Sequence, residues 1–108
     1  MAGESATFGC FERRFGVPLV DGGTQRLPHV VGLGRALELI LTGRELDAET
    51  AAEWGLVNRL APAGAALGTA VELAEVIAGF PQETVRTDRA AVYDGLGETL
   101  EHGLAVEG

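Results

Sequence analysis

The side chains in this sequence that are able to do chemistry are few and dispersed. Cys10 is the only cysteine, so no intrachain disulfide can form, and a small buried thiol suits the position better than a reactive one. His29 and His102 stand far apart with no partners at the spacing of a zinc site. Ser5 and Thr7 have no base beside them in sequence, which argues against a nucleophile. Trp54, next to Gly55-Leu56, reads as a core residue rather than a stacking platform. Two carboxylates remain in the glycine-rich segment, Glu12 and Asp21. By residue type alone, Glu12 is a surface glutamate beside Arg13 and Arg14, and Asp21 is a turn residue before Gly22-Gly23. Two carboxylates can also work as a base and an acid, provided their environments push their pKa values apart. Residue type alone favours the surface reading of Glu12.

The segment that would position both is irregular by pattern from Met1 to Gly32. Ala6-Thr7-Phe8 reads as a short strand and Phe11 to Phe15 as one helical turn. Gly16 to Thr24 reads as a tightly turned loop, because paired glycines permit positive φ and Pro18 blocks a continuous helix. From Leu33 the helical period takes over, with Leu33, Ala36, Leu37, Ile40 and Leu41 predicted on one face and Gly43 as the stop. Asp47 is a predicted N-cap for a helix from Ala48 to Trp54 that ends at Gly55. Leu56 to Leu60 is a candidate strand before the breaker Ala61-Pro62. A longer helix is predicted from Ala65 to Gly79, with Leu67, Val71, Ala74, Ile77 and Ala78 as its apolar stripe. Pro81 opens another, through Val85, Val92 and Leu96. Leu100 and Leu104 mark a last helical segment interrupted by Gly97 and Gly103. The pattern is mixed before Ala61-Pro62 and helical after it, so a boundary is expected there.

The 108 residues suffice for one small domain with much of its surface wet. A hydrophobic share of 46% with 22% charged residues argues against disorder. The net charge is -8 and the basic residues are scattered, so nucleic acid is not an expected partner. A polyanionic ligand would need locally placed cations. No apolar run approaches ~20 residues, so no membrane span is expected. Met1 to Ser5 lacks the basic and apolar regions of a signal peptide. A single cysteine fits a reducing compartment, and a cytoplasmic location is expected.

Longer strings carry more information than single residues. Phe8-Gly9-Cys10-Phe11-Glu12 is followed by Gly16, Pro18 and then Asp21-Gly22-Gly23-Thr24-Gln25-Arg26-Leu27-Pro28. Val31-Gly32, Ala36 to Gly43, Asp47-Ala48, Ala51-Ala52 and Gly55-Leu56-Val57-Asn58 continue in register. Together they resemble the C-terminal half of the enoyl-CoA hydratase/isomerase (crotonase) family, closely from Ala6 to Pro62 and more weakly beyond. The resemblance implies an α/β fold, mostly helical over this stretch. Residues 1–62 would end a crotonase-type spiral of ββα turns, and residues 63–108 would begin the helical trimerisation region. It implies hydration or isomerisation of an acyl-CoA thioester, a lyase or isomerase activity in fatty acid metabolism. Two backbone N–H groups would stabilise the enolate while carboxylates move protons or orient water. No metal or redox cofactor is implied; coenzyme A enters as part of the acyl-CoA substrate. The implied assembly is a homo-oligomer, trimer or hexamer, without membrane or nucleic acid.

Residue by residue, Glu12 takes the place of the second catalytic glutamate of hydratases, directly after the Phe-Gly-x-x step. Asp21 falls near the catalytic aspartate of dienoyl-CoA isomerases, with a spacing from Glu12 one residue longer than in those enzymes. Phe11 stands where hydratases commonly have proline. Thr24 is expected to cap the helix after the double glycine, and Arg26 to bond carbonyls or carboxylates. In the family's order both N–H donors and the first glutamate lie upstream of the residues matched here. The resemblance therefore implies a chain inactive alone, with Met1 an internal methionine or a truncated start and an early stop after Gly108. The alternative is a non-catalytic oligomerisation or interaction fragment, or a truncated reading frame.

Overall fold

The computed structural model describes all residues from Met1 to Gly108. They form two compact units, Met1–Ala70 and Val71–Gly108.

The first unit holds four short strands, a 3-10 helix and three α-helices: β1 (Ala2–Gly3), β2 (Thr7–Phe8), the 3-10 helix (Phe11–Phe15), α1 (Gly23–Val31), α2 (Leu33–Thr42), β3 (Leu46–Asp47), α3 (Ala48–Glu53) and β4 (Leu60–Ala61). The start of α4 (Ala66–Ala78) follows. β1 pairs with β4 in parallel, Ala2 opposite Leu60 and Gly3 opposite Ala61. β2 pairs with β3 antiparallel, Thr7 opposite Asp47 and Phe8 opposite Leu46. Ala2, Leu39, Leu46, Ala51 and Val57 make the core, with Phe8, Leu27 and Trp54 packed against it. Each strand pair thus ties the first residues of the chain to an element bordering that core.

Several elements differ from the sequence expectation. Gly23 to Val31 is the helix that the resemblance implied after the double glycine, although the period alone reads the stretch as irregular and Pro28 stands inside it. Proline removes only one N–H from the ladder, and Gly32 closes the helix by donating to the Pro28 carbonyl at 3.0 Å. At φ 88 Gly32 also turns the chain into α2, where its own carbonyl accepts from Ala36. A single glycine thus separates α1 from the helix that the period predicts from Leu33. In α2 the buried residues are Ala36 and Leu39, while Leu33, Leu37 and Leu41 are exposed. The helix has one polar side, with Arg35, Glu38 and Thr42, and a wide apolar arc; the packing falls on the edge of that arc that holds Ala36 and Leu39 rather than at its centre. No strand runs through Leu56 to Leu60. The Leu56 and Val57 N–H groups both donate to the Ala51 carbonyl, at 3.0 and 3.2 Å, and are spent on the turn after α3. Only Leu60–Ala61 pairs as β4. Asp47 caps α3 as expected, accepting from the Thr50 N–H at 2.7 Å, which holds its carboxyl below the usual range.

Leu39 is only 2% exposed and is among the largest fully buried side chains. Leu39→Ala is expected to destabilise this unit by about 2–5 kcal/mol through lost burial and a residual cavity. Urea unfolding of the two proteins measures it; a change within error would mean that this core does not hold the unit together.

In the second unit α4 ends and is followed by α5 (Gln82–Gly95) and α6 (Leu100–Glu107). Thr99 caps α6, its hydroxyl accepting from the His102 N–H at 3.2 Å. Gly103 does not interrupt α6 but lies inside it. There it lets the helices approach, since a Cβ on Gly95 would stand 3.4 Å from the Gly103 Cα. No residue of α4, α5 or α6 is buried, and Val92, Leu96, Leu100 and Leu104 stand exposed, Leu100 at 79%. No helix is long and apolar enough to cross a membrane. Exposed apolar surface of this kind drives association. The purified chain is expected to give a light-scattering mass above that of the 11.2 kDa monomer. A compact monomer that unfolds cooperatively would contradict this.

Candidate active site

Both carboxylates lie in the first unit, on segments held by glycines. A Cβ on Gly9 would collide with the Phe11 ring, so only glycine lets the chain enter the 3-10 helix with Phe11 folded back on it. Gly16 leaves that helix at φ 68 with its N–H on the Arg13 carbonyl. The Val17 N–H bonds the Glu12 carbonyl at 3.1 Å. The Glu12 side chain is half-buried, and its Oε2 is buried without a hydrogen-bond partner. Neither neighbouring arginine neutralises it. Arg13 is exposed. Arg14 donates from Nε to the Gly43 carbonyl at 2.8 Å and lies 4.5 Å from the centre of the Phe11 ring. The geometry is not that of a solvated surface glutamate. Burial pushes the Cys10 thiol up, and the charge of Glu12 adds to the effect.

Asp21 is exposed, in the bend before the double glycine. Its backbone carbonyl accepts from Arg26 Nη2 at 2.6 Å, the kind of bond expected of Arg26. Gly22 has φ 92, and a Cβ there would stand 2.7 Å from Arg26 Nη1. A Cβ on Gly23 would stand 2.7 Å from Leu19 Cδ2. Gly22 is required by its left-handed φ, while a side chain at Gly23 would need the end of Leu19 to move. Gly22, not Thr24, is the N-cap of α1. Thr24 sits inside the first turn, its hydroxyl accepting from Gln25 Nε2 at 3.3 Å. No hydrogen bond or ion pair links Glu12 with Asp21.

Trp54 packs against the core, as its sequence context suggests, and Arg35 and Arg44 lie 5.3 and 5.5 Å from its ring centre. Arg44 also pairs with Glu38 at 3.3 Å. An apolar groove of about 330 Å³ in the second unit runs between α5 and α6, lined by Thr87, Ala91, Val92, Leu100 and Leu104 among others. It contains neither Glu12 nor Asp21; its own carboxylates are Asp88 and Glu107. The residue that sequence reasoning missed is Arg14: nothing in the pattern shows that it reaches Gly43, 29 positions away.

A glycine-framed loop with an orphaned, half-buried carboxylate can now be set beside known proteins. The family model for enoyl-CoA hydratase/isomerase matches residues 1–108. The chain belongs to this family. It is 40% identical to the probable mitochondrial enoyl-CoA hydratase of Dictyostelium discoideum, over 99% of this chain and 39% of that protein. It superposes on the crystal structure of enoyl-CoA hydratase from Bacillus anthracis with a TM-score of 0.93 at 41% identity, covering 97% of this chain and 41% of that one. A putative enoyl-CoA hydratase/isomerase from Mycobacterium abscessus gives 0.94 at 35%, covering 98% and 43%. The chain thus spans about two fifths of the length of these relatives, and over that stretch it has their fold, short strands with a predominance of helix, as the resemblance implied.

Proposed function

We propose that these residues furnish the carboxylate-bearing part of a site that hydrates or isomerises an acyl-CoA thioester, with Glu12 as the group that moves a proton to or from the acyl chain or orients the water. The observation that carries this is the buried Glu12 Oε2 without a partner. Burying a carboxylate oxygen unpaired is unfavourable, and orphans of this kind are found where a group is kept ready for work. In the proposed reaction the thioester oxygen becomes an enolate oxygen held by two backbone N–H groups, which belong to the part of the family sequence not matched here. Glu12 supplies the proton transfer that the enolate requires. Asp21, exposed and unpaired, is proposed as the second carboxylate, used when the double bond shifts along a longer chain.

The same proposal covers the surroundings. Residues 1–62 would close the spiral core and 63–108 begin the oligomerisation region, in a trimer or hexamer working in the cytoplasm on substrates of fatty acid metabolism. The chemistry uses no metal or redox cofactor, and coenzyme A arrives with the substrate. A second reading, a non-catalytic oligomerisation module, is favoured by the exposed apolar side chains of α5 and α6.

A hybrid separates the two. Residues 1–108 replace the matching 41% of the Bacillus anthracis enzyme, and crotonoyl-CoA and a dienoyl-CoA are supplied in turn. Hydration or double-bond shift that depends on Glu12 supports the enzyme reading. A hybrid that assembles normally and acts on neither substrate supports the module.

A further inference from the structure

A 3-10 helix of five residues has a poor hydrogen-bond ladder and little rigidity of its own. The one that carries Glu12 contains no buried residue. Left to itself it would let the carboxylate swing out to water, because nothing pairs with Oε2 inside. Something outside the helix must hold the backbone. Arg14 is placed to do so. Its Nε donates at 2.8 Å to the carbonyl of Gly43, which caps α2 in the left-handed conformation at φ 62. Carbonyls at a helix C-terminus lack partners and carry negative partial charge, so a guanidinium satisfies both needs. Gly43 leaves room for the arginine stem, as a Cβ there would stand 3.2 Å from Arg14 Cγ. On its other side the guanidinium covers Phe11, whose ring is itself seated over Gly9. The residue before Glu12 and the residue two after it are therefore fastened together and to the end of α2. The cation is spent on Phe11 and Gly43, which leaves Glu12 uncompensated.

We infer that Arg14 is a positioning residue for Glu12, keeping the carboxylate in its half-buried place by bolting the 3-10 helix to the C-terminus of α2. Its value for catalysis rests on the reading of Glu12 proposed above, but the positioning itself is testable in the 108-residue chain. Cys10 is the reporter, since its thiol responds to the charge of Glu12. The pH dependence of iodoacetamide alkylation gives the thiol pKa in the parent, Glu12→Gln, Arg14→Met and the double variant.

Glu12→Gln is expected to lower the thiol pKa, since the Glu12 charge adds to burial in raising it. Arg14→Met is expected to lower it too, because the released carboxylate moves away. Simple loss of a nearby cation would raise it, so the sign separates positioning from charge. In the double variant Arg14→Met is expected to add no further lowering, since its effect runs through Glu12. An unchanged or raised pKa in Arg14→Met, or equal lowering with and without Glu12, overturns the inference. If Arg14→Met fails to fold, Arg14→Lys keeps stem and charge but loses the planar fork. It is expected to lower the pKa part of the way, and no shift there overturns the inference equally. A lowered thiol pKa beside an inactive hybrid supports the positioning and sinks the catalytic reading. An unmoved thiol beside an active hybrid does the reverse.

Discussion

Glu12→Gln in the hybrid is expected to lower kcat by about 10²–10⁴-fold, the usual loss when general acid–base catalysis is removed, with KM little changed. The split matters because proton transfer is felt in the transition state and not in substrate binding. The substitution is nearly isosteric, and it replaces a charged oxygen buried without a partner by a neutral amide. Neutral groups are cheaper to bury than charged ones, so the variant is expected to be at least as stable as its parent. A fall in kcat together with an equal or higher melting temperature would locate the effect in chemistry rather than folding. Asp21→Asn supplies the contrast. Asp21 is exposed, and a loss confined to Glu12 marks a hydratase-like site, with Asp21 as a turn residue. Loss in both marks an isomerase-like pair. If both substitutions are silent on every enoyl- and dienoyl-CoA tried, the carboxylate assignment is wrong.

The second large effect is expected from the 108-residue chain assayed by itself. It should turn over crotonoyl-CoA no faster than buffer does. In the proposed site both enolate-binding N–H groups come from sequence not matched here, and loss of a single such donor costs roughly 10²–10³ in rate. A carboxylate without an oxyanion hole has no stabilised enolate to protonate. Turnover above the buffer rate that disappears in Glu12→Gln would show that a complete site exists on these residues.

Much of this fold is legible because punctuation and period agree. Gly43, Asp47, Gly55 and Pro81 sit at or beside helix ends as their chemistry demands. The sequence is silent where one backbone conformation or one distant contact decides the outcome. Pro28 and the surrounding glycines mask α1 in the period, since a helix tolerates one lost N–H and Gly32 closes it directly after Val31. Leu39 lies at the edge of a wide apolar arc on α2, and the period, which marks the centre of that arc, does not show that the edge is the part that packs. Leu56 and Val57 look like strand, yet their N–H groups are already committed to Ala51. At the candidate site the family string points to Glu12, but its burial and lack of a partner depend on where Arg14 goes. Two adjacent arginines promise an ion pair in sequence, and a bond to Gly43 removes one of them.

These residues are proposed to hold one half of a two-part thioester site. The most direct test is the initial rate of crotonoyl-CoA hydration by the hybrid with the Bacillus anthracis enzyme, compared with the same hybrid carrying Glu12→Gln. Turnover well above buffer is expected in the first and loss of about 10²–10⁴-fold in the second. A hybrid that assembles as its bacterial parent does and hydrates at the buffer rate, or one whose rate is the same with Gln at position 12, would contradict the proposal.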